Sequence, residues 1–267
     1  MSEKSAAPAT SLVKALQVLL ALADSAEGRG VTDVARALKL PKSAVHRLLV
    51  TFREYGFVQQ AAGHGRYRLG PSVARLGLRA AEILTPRAVA RPYLEALAHE
   101  VGETIFLGVL VQEHVLVVDK VEHARVLRIS PTLGTMLPLQ QTALGKLLLA
   151  CCVPAEQERL LNCLVAADAC PLNARQLFGL RQELMVIAQR GFALSVEEWA
   201  ADICCFAAPI RDGRGAVVAA LALALPRSRM PPPPLHDPFA AASSALPYPT
   251  VLPALLATAE RISVALP

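Results

Sequence analysis

The sequence predicts an α+β fold in which a small helical module precedes a larger mixed domain. Three observations support this prediction. Residues 31–69 show two short amphipathic helices followed by a hairpin pattern, residues 71–85 form one more helical stretch, and strands alternate with helices from residue 88 onwards. A chain of 267 residues is long enough for two domains of ordinary size. We therefore expect domains at 1–70 and 87–267, joined by a linker helix over 71–86.

The N-terminal module should begin with a helix whose leucines repeat on one side from Thr10 or Ser11 onwards. Thr32 is in the position of an N-cap for a second helix. A break that contains Pro41 then precedes a third helix, since the fixed φ of proline suits a first helical turn. These three helices account for most of the module.

The third helix has one apolar face, because its hydrophobic residues recur at steps of three and four. Those residues are Val45, Leu48, Leu49 and Phe52. Gly56 suits the left-handed position just after a helix, and residues 57–69 predict a hairpin with a glycine-rich tip. A helix, a turn, a second helix and a hairpin make a winged helix-turn-helix, whose second helix suits a DNA major groove.

The charge distribution favours a nucleic-acid-binding role for this module. Residues 1–70 contain ten Lys or Arg and five Asp or Glu, whereas the other 17 basic and 17 acidic residues cancel. The whole net charge of +5 therefore lies in the module, as expected of a surface that binds phosphates. Two alternatives stay open: a pair of ordinary core helices, or a basic head that contacts RNA or an anionic protein.

The second domain should contain both helices and strands. Its helices are predicted at residues 88–101, 142–150, 154–164, 173–189 and 255–266, and its strands at 104–111, 114–121, 125–129, 191–195, 204–210 and 217–225. Residues 216–225 include no polar side chain, which indicates a strand buried on both faces. Residues 226–253 are rich in Pro, Ala and Ser and predict an extended surface loop.

Composition argues against several protein classes. No apolar run reaches the roughly 18 residues of a membrane span, and the polar N-terminus lacks a signal-peptide core. The six cysteines include two adjacent pairs and no CxxC spacing, which favours reduced thiols in the cytoplasm. The scattered histidines lack the spacing of metal ligands. We expect no cofactor, no metal and no membrane partner.

Five stretches of the sequence resemble the IclR family of bacterial transcriptional regulators. They are residues 11–23, 40–58, 66–77, 142–150 and 190–223, which include LPKSAVHRLLVTFREYGFV, TALGKLLLA and RGFALSVEEWAADICC. The resemblance implies a winged helix-turn-helix, a linker helix and a C-terminal GAF-like domain that binds a small effector. It also implies a homodimer or tetramer on a near-palindromic site in double-stranded DNA.

The resemblance places the DNA contacts on the third helix and on the wing. The corresponding residues are Lys42, Ser43, Ala44, His46, Arg47, Arg66 and Arg68. Physical reasoning agrees, since Lys42 and Ser43 begin a helix whose N-terminus attracts phosphate, and Arg47 can contact guanine through two hydrogen bonds. Ala44 replaces a threonine that is usual in the family. The alternative for Arg47 is a solvated charge or an ion pair within the protein.

The resemblance also implies an effector site in the second domain. The corresponding residues are Val126, Ile129, Leu137, Ala143, Leu144, Ser195, Ile203, Cys205, Ala222 and Ala224. Ser195 replaces a frequent acidic residue, and Ala222 and Ala224 replace frequent serines, so the lining is unusually apolar. We therefore expect an aromatic or largely apolar metabolite whose carboxylate meets the backbone N–H groups where the helix of Ala143 begins. Each residue could instead belong to the plain hydrophobic core.

The sequence gives weaker evidence for other kinds of functional site. Gly145-Lys146 resembles the end of a phosphate loop but lacks the upstream glycine. Glu197-Glu198 and Ser195 could serve an enzyme that uses residues 195–205, although a solvated turn is the simpler interpretation. Cys205 lies in an apolar strand, which should raise the pKa of its thiol and make it inert. We expect a regulator and not an enzyme.

Overall fold

The computed structural model describes residues 10–23, 25, 27–60, 65–83, 86–122, 131–166, 171–230 and 251–267. By its internal contacts the chain divides into two compact units, Met1–Leu84 and Thr85–Pro267. The fold is α+β, as the sequence predicts. The helix that we predicted as a linker belongs to the first unit in this division.

The first unit contains four helices and three short strands in its described part. They are α1 (Thr10–Ala23), β1 (Arg29–Gly30), α2 (Val31–Ala37), α3 (Lys42–Glu54), β2 (Val58–Gln60), β3 (Arg66–Leu69) and α4 (Pro71–Ile83). Val18, Val34, Val45 and Leu49 are fully buried in one core shared by α1, α2 and α3. This arrangement is a winged helix-turn-helix.

Helix α3 ends as the glycine pattern predicts. Gly56 adopts a φ of +72°, and the N–H of Phe57 donates to the carbonyl oxygen of Phe52 at 2.8 Å, which is the geometry of a Schellman cap. At the start of α2 the prediction was wrong. The N-cap is Gly30, which has no side chain that could accept a capping hydrogen bond. Thr32 therefore lies inside the first helical turn.

The wing sheet has three strands in the order β1-β3-β2, of which the sequence predicted two. Strand β1 pairs Arg29 with Tyr67 and Gly30 with Arg66. A strand of two residues has no alternation of polar and apolar side chains, so no sequence pattern marks it. The predicted hairpin tip comprises residues 62–65, of which residues 62–64 lie outside the described residues.

The second unit combines a six-stranded sheet with helices. Its elements are α5 (Pro86–Val101), β4 (Thr104–Val111), β5 (His114–Val121), β6 (Met136–Pro138), α6 (Ala143–Cys151), α7 (Pro154–Ala166), α8 (Ala174–Arg190), β7 (Ala193–Val196), β8 (Ile203–Arg211), β9 (Val217–Pro226), a 3-10 turn (Arg227–Arg229) and α9 (Val251–Ala265). The strand order is β6-β5-β4-β9-β8-β7, and neighbouring strands are antiparallel.

Helices cover both faces of this sheet. One core joins α5 and α9 to the sheet, and the other joins α6, α7 and α8 to the opposite face. In the central strand β9 the leucines 221, 223 and 225 enter the first core, whereas the alanines 220, 222 and 224 enter the second. Strand β9 is therefore buried on both faces, and the small alanines let α6 lie close to the sheet.

Several predicted boundaries differ from the structure. Strand β7 begins at Ala193, because Gly191 instead ends α8 with a φ of +77°. Helix α9 begins at Val251 and accommodates Pro253 in its first turn, so the predicted loop ends earlier. Strand β6 was not predicted. The strand predicted at 125–129 and most of the predicted loop, residues 231–250, lie outside the described residues.

Two further expectations concern membranes and disulfides. None of the helices in the described ranges is both long and apolar enough to cross a membrane. Cys151, Cys152, Cys163, Cys204 and Cys205 are all free thiols.

Candidate functional site

The outer face of α3 carries the polar residues that the sequence singled out. Lys42, Ser43, His46 and Arg47 are exposed, and Ala44 is half-buried. They stay outside because Val45 and Leu49 on the opposite face are fully buried. Among the described residues Arg47 takes part in no ion pair, so the alternative of an ion pair within the protein finds no support there.

The N-terminus of α3 is open for an anion. The carbonyl oxygen of Pro41 accepts the N–H groups of Ala44 and Val45 at 3.0 and 3.1 Å. The preceding N–H groups, those of Lys42 and Ser43, come too early in the helix to have an intrahelical acceptor. Together with the Lys42 side chain they form a site where a phosphate would be favourable.

The wing adds two exposed arginines. Arg66 and Arg68 lie on either side of the buried Tyr67 in β3, so both point away from the core. Arg66 approaches Glu27 at 3.5 Å, but both side chains are largely exposed. This pair is a weak surface contact. We call the seven residues of α3 and the wing the recognition surface: Lys42, Ser43, Ala44, His46, Arg47, Arg66 and Arg68.

The second unit contains a partly open cavity near the start of α6. Twelve residues line it: Phe106, Pro131, Leu137, Thr142, Ala143, Leu144, Ser195, Trp199, Ala200, Ile203, Cys205 and Ala224. None of these twelve is charged.

Seven of the ten residues predicted for the effector site lie together in this lining: Leu137, Ala143, Leu144, Ser195, Ile203, Cys205 and Ala224. Ala222 does not, because it is fully buried in the core between β9 and α6. Val126 and Ile129 lie outside the described residues. The sequence missed five lining residues, including Phe106 and Trp199. Phe106 is typical of any buried strand, so no local pattern distinguishes it.

The local structure of α6 explains why its first residues face the cavity. Thr142 caps the helix by accepting the N–H of Gly145 at 3.1 Å, and its hydroxyl donates to the carbonyl oxygen of Pro138 at 2.8 Å. A Cβ at position 145 would collide with the backbone of Leu139, so only glycine permits this close packing. The N–H groups of Ala143 and Leu144 remain without an intrahelical acceptor at the cavity wall.

Cys205 is the lining residue whose pKa departs from its ordinary value. Desolvation by burial, followed by the neighbouring Cys204, raises the pKa of its thiol to about 12. A thiol with this pKa stays protonated and is a poor nucleophile, in agreement with the sequence argument. Among the described residues no group of three potential metal ligands comes together.

The sequence analysis missed an ion cluster around a buried lysine that follows the cavity-lining start of α6. Lys146 is 1% exposed, and its Nζ lies 2.6 Å from a carboxylate oxygen of Glu183 and 2.6 and 2.8 Å from those of Glu198. Glu198 lies in the turn after β7 and is 37% exposed, in agreement with the interpretation as a solvated turn, but its carboxylate also binds the Lys146 ammonium. The sequence signal that could have indicated this cluster is the single charge, Lys146, in the otherwise apolar helix α6. A lysine buried with such a helix needs a partner of opposite charge.

Both parts of the chain match family models. Residues 11–62 match the IclR helix-turn-helix domain, and residues 79–239 match the bacterial transcriptional regulator IclR C-terminal domain. The glycerol operon regulatory protein of Streptomyces coelicolor is 36% identical over 216 residues, covering 80% of this chain and 83% of that protein. The transcriptional repressor IclR of Escherichia coli is 30% identical over 230 residues, covering 84% of each.

Solved structures agree with these matches. An IclR homologue from Microbacterium hydrocarbonoxydans, complexed with 4-hydroxybenzoate, superposes with a TM-score of 0.75 at 25% identity and covers 96% of this chain and 99% of that one. The Thermotoga maritima IclR gives a TM-score of 0.67 at 25% identity, covering 96% and 98%. The chain therefore belongs to the IclR family of DNA-binding transcriptional regulators with a C-terminal effector-binding domain.

Proposed function

We propose that the cavity binds a small aromatic or otherwise largely apolar carboxylate, and that this ligand sets the affinity of the protein for its operator. The lining supports the proposal, because the twelve residues that surround the cavity are uncharged and mostly apolar, as is typical of sites for small apolar ligands. The likeness to a homologue crystallised with 4-hydroxybenzoate supports the same ligand class.

The carboxylate of such a ligand would meet the start of α6. The N–H groups of Ala143 and Leu144 lie at the positive end of that helix and can donate to an anion. Ser195 and Thr142 are the hydroxyl groups in the lining. The remaining wall is apolar and suits a ring.

Calorimetry with purified full-length protein tests the ligand class. Benzoate and 4-hydroxybenzoate should bind at least about tenfold more tightly than glyoxylate, because glyoxylate leaves the apolar wall empty. Benzamide, which has the shape of benzoate without its charge, should bind less tightly than benzoate. Stronger binding of glyoxylate than of either aromatic acid would contradict the proposal.

For DNA, we propose that α3 enters the major groove and that the wing contacts the flanking backbone. The exposed recognition surface and the open N-terminus of α3 support this. The partner is a near-palindromic operator in the cytoplasm, where the bacterial chromosome lies. Duplex DNA from upstream of the gene should be retained specifically, with an affinity that falls steeply as salt rises.

We propose a homodimer as the unit that binds this operator. Leu12, Leu16 and Leu20 follow one side of α1 at intervals of four residues and are between half and two-thirds exposed. Such a stripe is costly in water unless a second copy covers it. Leu16→Glu should give a monomer in sedimentation analysis, while an unchanged assembly would place the interface elsewhere. A tetramer in the unmodified protein would indicate a second contact.

Regulation then requires that ligand binding favours one arrangement of the two helix-turn-helix modules. Half-site spacing is geometric, so a change in that arrangement changes operator affinity. Along the chain, α4 is the element between the recognition surface and the second unit. We propose that this helix transmits the change.

This role is one of binding and not of catalysis. Glu198, the candidate acid or base in residues 195–205, is bound to the Lys146 ammonium. The Cys205 thiol has a pKa of about 12, which opposes a nucleophilic role. Incubation with benzoate should therefore return benzoate unchanged when the mixture is analysed by chromatography.

A further inference from the structure

The loop of residues 197–202, between β7 and β8, supplies two residues to the cavity wall. Trp199 and Ala200 both line the cavity. Trp199 is 40% exposed, which is high for a large hydrophobic side chain. It is also the single tryptophan of the sequence, so its fluorescence reports on this loop alone.

The two ends of the loop are tied to the sheet. Glu197 and Asp202 both adopt left-handed backbone conformations, with φ of 56° and 61°. The N–H of Glu197 donates to the carbonyl oxygen of Ile203 at 2.8 Å, and the N–H of Arg227 donates to that of Asp202 at 2.8 Å. Two sharp, anchored turns therefore bound the four residues 198–201.

The tip of the loop is attached to the wall of the cavity by an ion pair. Glu198 accepts from the Lys146 ammonium through both carboxylate oxygens, at 2.6 and 2.8 Å. Lys146 is on α6, one turn after the cavity-lining Thr142 and Ala143. Because Glu198 is 37% exposed, water can compete for its carboxylate, and such a pair can break.

Glu183 provides the internal comparison. It contacts the same ammonium at 2.6 Å and is 35% exposed, close to the value for Glu198. However, Glu183 is on α8, while Glu198 is next to Trp199 on the loop. Either carboxylate alone can satisfy the charge of Lys146, but only Glu198 holds the loop.

We propose that residues 197–202 form a latched cover over the cavity, with the Lys146–Glu198 ion pair as the latch and Trp199 as the residue that contacts the ligand. Lys146 and Glu198 are then positioning residues. An indole in the wall offers an aromatic ligand a flat apolar surface. Opening the latch would free the tip to move about its two anchored ends and let the ligand pass. The ligand part of this inference rests on the proposed function.

A ligand-free experiment tests the latch. In full-length protein, acrylamide quenching of Trp199 is compared among the unmodified chain, Glu198→Gln and Glu183→Gln. Glu198→Gln should raise the quenching constant about twofold, the change expected when an indole that is 40% exposed becomes open to solvent. Glu183→Gln should leave it unchanged. Equal quenching in all three proteins, or an equal rise in both variants, overturns the latch.

A second experiment tests the contact between Trp199 and a ligand. Benzoate should change the tryptophan emission, and Glu198→Gln should speed benzoate dissociation about tenfold while Glu183→Gln changes it less than about twofold. If calorimetry detects benzoate binding while the emission stays constant, the contact is wrong and the proposed function stands. If calorimetry detects no binding, the proposed ligand class is wrong. The acrylamide quenching experiment alone then tests whether the ion pair holds the loop.

Discussion

The recognition surface and the cavity differ in the charge and exposure of the residues that form them. The recognition surface consists mostly of exposed side chains on α3 and β3, and four of its seven residues are lysine or arginine. The cavity is lined by uncharged residues from several separate segments, and its main polar groups are two hydroxyls and the backbone at the start of α6. Exposed charges suit a partner that binds from solvent. An apolar lining of matching shape suits a small molecule that becomes enclosed.

This difference predicts which kind of substitution each site tolerates. A charged surface depends on individual side chains whose removal leaves the fold intact. A cavity depends on its volume, so an added methyl group is as damaging there as a lost arginine is on the surface. The following experiments separate these two modes of binding.

The largest effect is expected from filling the cavity. Ala224 lines it from β9, and Ala224→Leu should weaken benzoate binding by about 100-fold or more because the added groups occupy ligand space. Calorimetry measures this loss. DNA binding without ligand should persist, and thermal melting controls for folding. Unchanged benzoate affinity would show that the ligand binds elsewhere.

Arg47→Ala and Lys42→Ala should distinguish two kinds of surface contact. Arg47→Ala should weaken operator binding by about 10- to 100-fold and relax sequence preference, because a contact with a base edge is lost. Lys42→Ala should weaken binding about equally on all sequences and reduce the salt dependence, because a phosphate contact is lost. Fluorescence anisotropy with operator and scrambled duplexes measures both. Equal effects would show that the assigned roles are wrong.

The half-buried thiol of Cys205 should make stability depend on pH in the alkaline range. Its pKa in the folded protein, about 12, lies above the ordinary value of 9.0, so the unfolded chain loses this proton first as pH rises. The corresponding stability is complete below pH 9 and is lost towards pH 12 at about 1.4 kcal/mol per pH unit. Denaturant unfolding of Cys205→Ala should show a shallower decline than the unmodified protein. An identical decline would contradict the role of this thiol.

The smallest effect is expected from the surface ion pair between Glu27 and Arg66. Glu27→Ala should change the free energy of unfolding by less than about 0.5 kcal/mol, since both side chains are largely exposed. DNA binding should strengthen slightly at low salt, because Arg66 loses a competing anion. Denaturant melts and anisotropy measure the two quantities, and a large loss of stability would mean that the pair supports the wing.

Sequence reasoning predicted the elements whose cause is local. Helix α3 follows from its apolar period and from Gly56, and the hairpin of β4 and β5 occupies the predicted residues. Sequence reasoning failed where contacts with distant residues determine the local structure. Strands β1 and β6 form because a partner strand is present, and Gly30 rather than Thr32 is the N-cap of α2. For the cavity, the sequence supplied seven lining residues through family resemblance and missed Trp199 on the loop.

By itself, the sequence determined the α+β class, the winged helix-turn-helix and the position of the net charge, because period, turn residues and charge are properties of neighbouring residues. Only the tertiary structure decided that Lys146 meets Glu183 and Glu198, and that Trp199 and Ala224 share a cavity wall while Ala222 does not. These contacts join residues 25 or more positions apart along the chain, such as Lys146 and Glu198. Their pairing depends on how α6 packs against the sheet, which no local pattern encodes.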